Sequence, residues 1–398
     1  MSAADLIARA HALRAPFAER AADHDATGAP TTWQFQALCD ADLLRLTIAP
    51  ENGGHGAGLA VARRVVSEIA QGDPSVALIL TMHYSYHAGI ARAHREPDPS
   101  RDWPPHLIER VTQACLRGVS LINSAQVEPN LGSPSHGGLP DTVARRAGDY
   151  WQLSGHKAYV TGVPLLSWIT VLACTDEPTP RIGLFLVPRT APGIEIVKTW
   201  DPIGMRATAS HDVILRDVSV PVEDAIGLRP ASLGLLRDHR DFAWYLSLMS
   251  SVYDGAARAG RDWLTDFFNT RKPNVLNGAP LASLPTIQEA LGRIEVLLGA
   301  NAWLLDSHAA AFDAGTAPAT LGPVVKHTTI DNAAQAMNLA LELAGNHGLA
   351  RRNPLERHHR NTLCGHTHAP PNALIRGNAG RAALAAAASH DERIPRQA

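Results

Sequence analysis

The chain has 398 residues, of which 45% are hydrophobic, 19% are charged and 5% are aromatic. Lysine and arginine number 36 against 38 for aspartate and glutamate, so the formal net charge is -2. A nearly neutral chain lacks the basic surface that nucleic acids and anionic membranes attract, and we predict neither partner.

Residues 1–117 are predicted to be helical, because apolar residues such as Val61, Val65 and Ile69 recur at helical spacing. From residue 118 to residue 228 the pattern changes to short β-rich runs separated by Gly, Pro and Asp turns. Their spacing predicts a small antiparallel barrel or sandwich, with strands over 150–153, 168–173, 182–187, 194–197 and 213–220.

Helical periodicity returns from residue 229 to residue 398. We predict one long helix from Phe242 to Asn269, a second with an apolar stripe between Ile287 and Leu298, and a third from Ile330 to Ala344 that ends at Gly345. Helices with apolar stripes need partners to bury them, so the two helical parts favour one bundle interrupted by the β module. The chain is therefore predicted to be an α+β protein with domains over 1–117, 118–228 and 229–398.

Neither disulfides nor secretion is indicated. No CxxC pair occurs among the four cysteines, which are Cys39, Cys115, Cys174 and Cys364. This spacing fits a reducing compartment. The N-terminal segment carries charges where a signal peptide needs an apolar run, and no charge-free stretch of about 18 apolar residues occurs. We expect a soluble, cytoplasmic protein.

Three segments of the β region follow one another in a recognisable order: VEPNLGSP at 127–134, GHKAYVTG at 155–162 and WDPIGMRATASHDVILRDVSVP at 200–221. Together they resemble the acyl-CoA dehydrogenase family, which carries a TEPxxGSD loop, a GxKxWITN strand and a GMRxTxS segment. LAGNHGLARRNPLERHHRN at 343–361 also matches, so the resemblance covers nearly the whole chain. It implies a helical N-terminal domain, a β middle domain and a C-terminal four-helix bundle through which four copies assemble.

The resemblance also implies a bound flavin, FAD with FMN as the alternative. A small-residue loop lets backbone N–H groups approach a ring carbonyl or a phosphate. By analogy, Ser133, Tyr159 and Thr161 line the flavin, and Val127 and Gly132 offer backbone groups. Tyr159 precedes Thr161 by two residues, so strand alternation predicts that both lie on one face of the sheet.

A second set of residues is implied to reach the pyrophosphate and adenosine of an FAD that is held mainly by a neighbouring subunit. Arg271 suits phosphate because its planar guanidinium donates two parallel hydrogen bonds. Gln288 and the turn around Asn346 complete this set. The family usually has a glutamine where this chain has Glu342.

The stretch RHHRNTLCGHTHAPPN, residues 357–372, contains four histidines and one cysteine. A metal centre needs three or four converging ligands, whereas His358 and His359 are adjacent and point in different directions on a helix. We predict no metal site there.

The usual catalytic glutamate of the dehydrogenases is missing from this stretch. Ala369-Pro370-Pro371 falls where the family carries Glu-Gly-Thr, and the alternative position on the long helix holds Tyr245. That glutamate removes the substrate's α-proton, so its absence concerns the reaction itself. His368 could replace the base, because histidine titrates near neutral pH. His83, in the helical segment that walls the substrate pocket in relatives, is the second catalytic candidate.

Three functions stay open. The first is dehydrogenation of an acyl thioester such as an acyl-CoA, with a displaced base and electron-transfer flavoprotein as the redox partner. The second is a two-component monooxygenase that receives reduced flavin from a flavin reductase and oxidises a small aromatic, heteroatom or sulfur-containing substrate. Oxygen-using relatives also lack the glutamate and carry histidine near the C-terminal position. The third is a catalytically degenerate binding subunit.

Overall fold

The computed structural model describes residues 1–29, 32–95, 103–131, 138–234 and 238–391. The predicted order of a helical region, a sheet and a second helical region is confirmed. None of the helices in these ranges is both long and apolar enough to cross a lipid bilayer.

Helices form the N-terminal region: α1 (Ala3–Ala12), α2 (Arg14–Thr27), α3 (Thr32–Asp40), α4 (Leu59–Gly72), α5 (Pro74–Arg95) and α6 (Pro105–Arg117). The stripe predicted on α4 is buried, with Val65, Val66 and Ile69 fully enclosed. Helix α5 begins after Asp73, whose carboxylate accepts the N–H groups of Ser75 and Val76. Proline at the first helical position suits this start, since its missing N–H would have no partner there.

The strands are β1 (Leu121–Ala125), β2 (Val143–Ala147), β3 (Tyr150–Val160), β4 (Leu166–Thr175), β5 (Arg181–Pro188), β6 (Ile194–Val197), β7 (His211–Pro221) and β8 (Ala225–Pro230). They form one sheet in the order β6-β7-β3-β2-β4-β5-β8, and β1 pairs with β4. All five predicted runs lie within β3 to β7. The sheet is mixed rather than purely antiparallel, because β4 pairs in parallel with β1 and with β2.

The C-terminal helices are α7 (His239–Thr270), α8 (Pro285–Asp313), α9 (Leu321–Ala344), α10 (Asn346–Leu349), α11 (Leu355–Leu363) and α12 (Asn372–Asp391). An apolar core joins α7, α8, α9 and α11. Close approach of α7 and α9 requires Gly260, because a Cβ there would lie 2.4 Å from Met337 Sδ. A second core joins the N-terminal helices, the sheet and the first half of α7, and so holds the three regions together.

Candidate functional site

A cavity of about 1100 Å³ lies between α5, the sheet and α7. A large, mainly apolar cavity with a few convergent polar groups is the usual form of a small-molecule site. Four of the predicted site residues line it: Val127, Tyr159, Thr161 and His368. The lining also includes residues that were not predicted to bind or react, among them Met82, Tyr86, Asn123, Trp200, Tyr245 and Tyr253.

A buried ion pair fixes the sheet side of this cavity. Lys157 Nζ donates to Glu128 Oε1 at 2.5 Å, and the two side chains are 0% and 2% exposed. Glu128 also accepts hydrogen bonds from the N–H groups of Asp141 and Thr142 and from the Thr142 hydroxyl. The ion pair therefore joins two of the segments that carry the resemblance and holds the backbone of Val127 against β3. There the Val127 carbonyl accepts a hydrogen bond from the Ala158 N–H at 2.9 Å.

Tyr159 and Thr161 both line the cavity, but not for the reason predicted. The pairing register of β3 shifts between Lys157 and Val160, and Tyr159 adopts a left-handed conformation with φ of 57°. Thr161 lies one residue beyond the strand. Alternation along a regular strand therefore does not apply, and a bulge directs both side chains. The Tyr159 ring stays 64% exposed and lies edge-on to Trp200, with 6.2 Å between ring centroids.

A network of hydroxyl groups orients Thr161. Ser210 Oγ donates to Thr161 Oγ1 at 3.1 Å, and Asn123 Nδ2 donates to the Thr161 carbonyl at 2.9 Å. Within the described part of the chain the Thr161 hydroxyl accepts this bond and donates to no protein group. Its hydrogen can therefore be offered to an acceptor in the cavity, such as a ring nitrogen.

His368 lies between two tyrosine hydroxyl groups. Tyr253 Oη lies 2.5 Å from His368 Nε2, and Tyr245 Oη lies 3.5 Å from His368 Nδ1. Burial, followed by the positive charge of Lys326, lowers the pKa of His368 to about 4. Burial raises the pKa of both tyrosine hydroxyls. At neutral pH the imidazole is therefore uncharged and both phenols are protonated, so the three side chains form a hydrogen-bonded Tyr-His-Tyr relay.

Helix α9 anchors the loop that carries His368. Lys326 Nζ donates to the Pro370 carbonyl at 3.2 Å and to Asn372 Oδ1 at 3.1 Å. Asp331 Oδ1 lies 2.9 Å from His366 Nε2 and accepts from Asn372 Nδ2 at 3.0 Å. His366 therefore positions the loop, while His368, two residues later, faces the cavity.

The assignment of His83 to the catalytic set requires correction. Helix α5 presents Leu78, Met82 and Tyr86 to the cavity, whereas His83 is fully buried and is not part of the lining. Its Nε2 lies 2.8 Å from the Leu44 carbonyl. The sequence did not fix the rotation of α5, and each residue turns the face by about 100°.

The residues predicted to reach the far end of FAD lie away from this cavity. Arg271 and Gln288 are exposed, and Gln288 Nε2 donates to the Ala282 carbonyl at 2.9 Å. Asn346 is also exposed and shares a shallow pocket with Glu342. Gly132 and Ser133 lie outside the described residues.

Tyr245 and Ala369, which stand at the two positions where the resemblance implies a catalytic carboxylate, both line the cavity and neither is an acid. Among the described residues, the carboxylates that line the cavity are Asp238 and Asp241, at the start of α7. Asp238 accepts the N–H of Arg240 at 2.7 Å, and Asp241 forms an ion pair with Arg92. Both acids are therefore already engaged by protein groups.

Tyr253 was missed by the sequence analysis, although a signal existed. It follows Tyr245 by eight residues on α7, and steps of four residues return to nearly the same helix face. Lys326 carried no comparable signal, because its contacts depend on how a loop 44 residues later folds back.

Acid is expected to destabilise the chain through buried histidines. Burial lowers the pKa of His358 to about 3, against about 6.5 for an exposed histidine, and that of His368 to about 4. Between these values and pH 6.5 the unfolded chain binds more protons than the folded chain, so stability falls as pH drops from 6.5 towards 4. Each pKa unit corresponds to roughly 1.4 kcal/mol. Urea unfolding at pH 7, 6 and 5 measures the slope, and His358→Leu should flatten it; an unchanged slope would contradict the assignment.

Comparisons with known proteins give the family. The acyl-CoA dehydrogenase N-terminal, middle and C-terminal domain models match residues 8–103, 124–218 and 249–384. The putative acyl-CoA dehydrogenase YdbM of Bacillus subtilis (strain 168) is 30% identical over 359 residues, which cover 89% of this chain and 90% of YdbM.

Two solved structures share the fold at low identity. Butyryl-CoA dehydrogenase from Megasphaera elsdenii has a TM-score of 0.83 at 20% identity, covering 96% of this chain and 98% of that chain. TdsC from Paenibacillus sp. A11-2, solved with FMN and indole, has a TM-score of 0.82 at 20% identity and covers 98% of both chains. The chain therefore belongs to the acyl-CoA dehydrogenase family of flavin-dependent oxidoreductases.

Proposed function

We propose that this chain is a flavin-dependent monooxygenase that acts on a small aromatic or heteroatom substrate, supplied with reduced flavin by a separate reductase. One observation carries the proposal. Where the dehydrogenases place a carboxylate base, this cavity presents the relay of Tyr245, His368 and Tyr253. Bound reduced flavin supplies electrons to molecular oxygen, and the protein supplies position and protons.

The cavity has the groups that a flavin ring needs. The free hydrogen of the Thr161 hydroxyl suits the N5 edge, and the exposed face of Tyr159 beside Trp200 offers aromatic surface to a flat ring. Backbone near Val127 would meet the polar edge. We propose FAD as the cofactor, with FMN as the alternative.

The relay is better suited to transferring a proton to or from an oxygen atom than to removing a proton from a carbon atom. A base that removes an α-proton needs an unoccupied lone pair aimed at that carbon. In the relay, one imidazole nitrogen accepts a hydrogen bond from a phenol and the other donates its N–H, so the single basic lone pair of the neutral ring is already engaged and is not open to a C–H group. A chain of hydroxyl and imidazole groups can nevertheless pass a proton to or from an oxygen atom of bound oxygen or product.

The α5 side of the cavity is largely apolar. Met82, Ile90 and Trp103 line it, and Tyr86 adds a hydroxyl group that accepts from Thr170 Oγ1 at 2.7 Å. An uncharged substrate of modest size fits such a surface, because burying a charge there would cost several kcal/mol without a partner. The TdsC structure, which holds indole in the same fold, provides an analogy of shape.

Acyl-thioester dehydrogenation is the second candidate, favoured by the similarity to YdbM over most of both chains. It would require His368 to leave one of its tyrosine partners when substrate binds. Electrons would then pass to electron-transfer flavoprotein rather than to oxygen.

The two candidates differ in their need for oxygen. The chain is loaded with FAD or FMN and incubated with indole, thioether and amine test substrates, a flavin reductase and a nicotinamide donor. We expect product only when the reductase, the donor and oxygen are all present. Product formed without oxygen would eliminate the monooxygenase.

We also propose that the chain assembles as a homotetramer through the C-terminal helices, so that Arg271, Gln288 and Asn346 reach the FAD of a neighbouring copy. A stripe along α8 supports this assembly. Val296 and Trp303 on the stripe are 73% and 76% exposed; Gly292 precedes Val296 and Gly299 lies between the two, all at helical spacing. A stripe of this kind suits close packing of a second helix.

Replacing Trp303 by aspartate is expected to weaken assembly by about 10-fold or more, because an exposed aromatic anchor is replaced by a charge that the interface would bury. Light scattering across a dilution series measures the shift to smaller species. Leu233→Asp is the matched control, since Leu233 is 63% exposed but lies before the C-terminal helices. Equal assembly of the Trp303 variant and the unaltered chain would exclude this face.

A further inference from the structure

Three potential metal ligands meet outside the cavity. His83 and His87 lie one turn apart on α5, and Cys115 lies on α6. Each residue offers one potential ligand atom, and these three atoms all lie within 4.8 Å of one another. The three residues are 0%, 2% and 4% exposed, the imidazole centroids are 4.6 Å apart, and Cys115 Sγ lies 3.9 Å from His83 Nε2.

The protein leaves part of this cluster without partners. The Nδ1 atoms of both His83 and His87 are buried and have no hydrogen-bond partner within the described residues. A buried polar atom without a partner costs about 1–3 kcal/mol, and native structures contain few of them. Two such atoms on neighbouring rings beside a thiol indicate a missing ligand.

Within the described part of the chain no carboxylate joins the three ligands of this cluster. A metal ion binds the lone pair of a neutral imidazole and the thiolate form of a cysteine, so binding here requires the Cys115 thiol to release its proton.

We propose that His83, His87 and Cys115 bind a single Cu(I) ion. Binding is a ligand exchange with no change of oxidation state: two Cu–N bonds and one Cu–S bond form, the Cys115 S–H bond breaks, and its proton leaves to solvent. Two histidines and one cysteine are a donor set typical of copper. The Leu44 carbonyl accepts the N–H of His83 Nε2 at 2.8 Å, so His83 offers its unpartnered Nδ1 to the ion, and the carbonyl orients the ring as such bonds do for other metal-bound histidines.

The net charge of the filled site favours Cu(I) over Zn²⁺. Two neutral imidazoles and one thiolate leave no net charge around a monovalent ion, but leave one positive charge around Zn²⁺. An uncompensated charge in a buried site costs several kcal/mol. Zinc would also require a fourth strong ligand, and among the described residues no further histidine, cysteine or carboxylate joins the three.

The test isolates Cys115 from the other thiols. The triple variant Cys39→Ser, Cys174→Ser, Cys364→Ser is produced with copper in the growth medium and, separately, incubated anaerobically with Cu(I) and the chelator bicinchoninate. We expect about one copper per chain in this variant. Adding Cys115→Ser or His87→Leu should lower the copper content at least 10-fold, whereas adding His358→Leu should not change it. His358 is a fair control because it is buried with an unpartnered Nδ1 but has no cysteine at the site.

Two further measurements keep the outcome decisive. X-ray absorption at the copper edge should show one sulfur and two nitrogen ligands in the triple variant, and thermal unfolding should show that all variants are folded. The proposal is overturned if the folded triple variant holds no copper by either route, if Cys115→Ser retains it, or if Zn²⁺ binds in its place. None of these readouts depends on flavin or on catalysis.

Discussion

Replacing His368 by asparagine is expected to lower the rate of substrate oxidation by about 10²–10⁴-fold, the range typical for loss of a proton-transfer group. The imidazole is the member of the relay that contacts both tyrosine hydroxyls, at 2.5 Å and 3.5 Å, so its removal interrupts proton passage completely. The measurement is kcat for product formation in the reductase-coupled assay. Flavin affinity, followed by fluorescence, should change little, because Thr161 and Tyr159 lie on the sheet side.

The tyrosines and a neighbouring histidine provide graded controls. Tyr253→Phe should cost more than Tyr245→Phe, because the Tyr253 hydroxyl lies 1.0 Å closer to the imidazole than the Tyr245 hydroxyl (3.5 minus 2.5). His366→Asn should leave the rate near that of the unaltered chain, since His366 lies near Asp331 and asparagine can still donate there. Full activity of His368→Asn would remove the relay from the reaction.

Replacing Glu128 by glutamine is expected to lower the free energy of unfolding by about 3–5 kcal/mol, the usual effect of removing one partner from a buried ion pair. Burial lowers the pKa of Lys157 to about 8 even beside the Glu128 carboxylate, so without that carboxylate the amine is left buried without its charged partner and gives up its proton. The substituted side chain also loses an acceptor oxygen that holds the backbone of Asp141 and Thr142. Urea unfolding measures the change. Flavin affinity should fall with it, because the pair holds the Val127 segment against β3.

A double variant and a surface pair complete this experiment. Adding Lys157→Met to Glu128→Gln should recover part of the lost stability, since no amine without its charged partner remains buried. Glu177→Gln, which breaks a partly exposed pair with Arg181, should cost at most about 1 kcal/mol. An effect of Glu128→Gln no larger than that of Glu177→Gln would show that the buried pair does not hold the cavity wall.

The helices and the long strands could be predicted because their apolar patterns are regular. Strand β2 could not, because only Ala144 is buried among its five residues, so no alternation is visible. Strand β1 is five residues long and includes Asn123 and Ser124. Their parallel pairing with β4 depends on tertiary contacts that no local pattern reports.

Residues that line the cavity could be predicted only where they lie in a sequence segment that resembles a known family. Thr161 and His368 were singled out through segments that resemble a family, and both line the cavity. Tyr253 was not singled out, because its contact with His368 depends on a loop more than 100 residues later. His83 was assigned to the wrong face because a one-residue error in helix rotation turns a side chain by about 100°. The cluster of His83, His87 and Cys115 was missed for a related reason: Cys115 lies 28 residues after His87, and only the folded chain brings their side chains together.

The most direct test of the central claim is anaerobic titration of the flavin-loaded chain with short, medium and long acyl-CoAs, followed by the absorption band of oxidised flavin. Dithionite first establishes that the bound flavin can be reduced. We predict no bleaching with any acyl-CoA, because the relay leaves no free base for an α-proton. Bleaching by one of them would contradict the monooxygenase and establish a dehydrogenase.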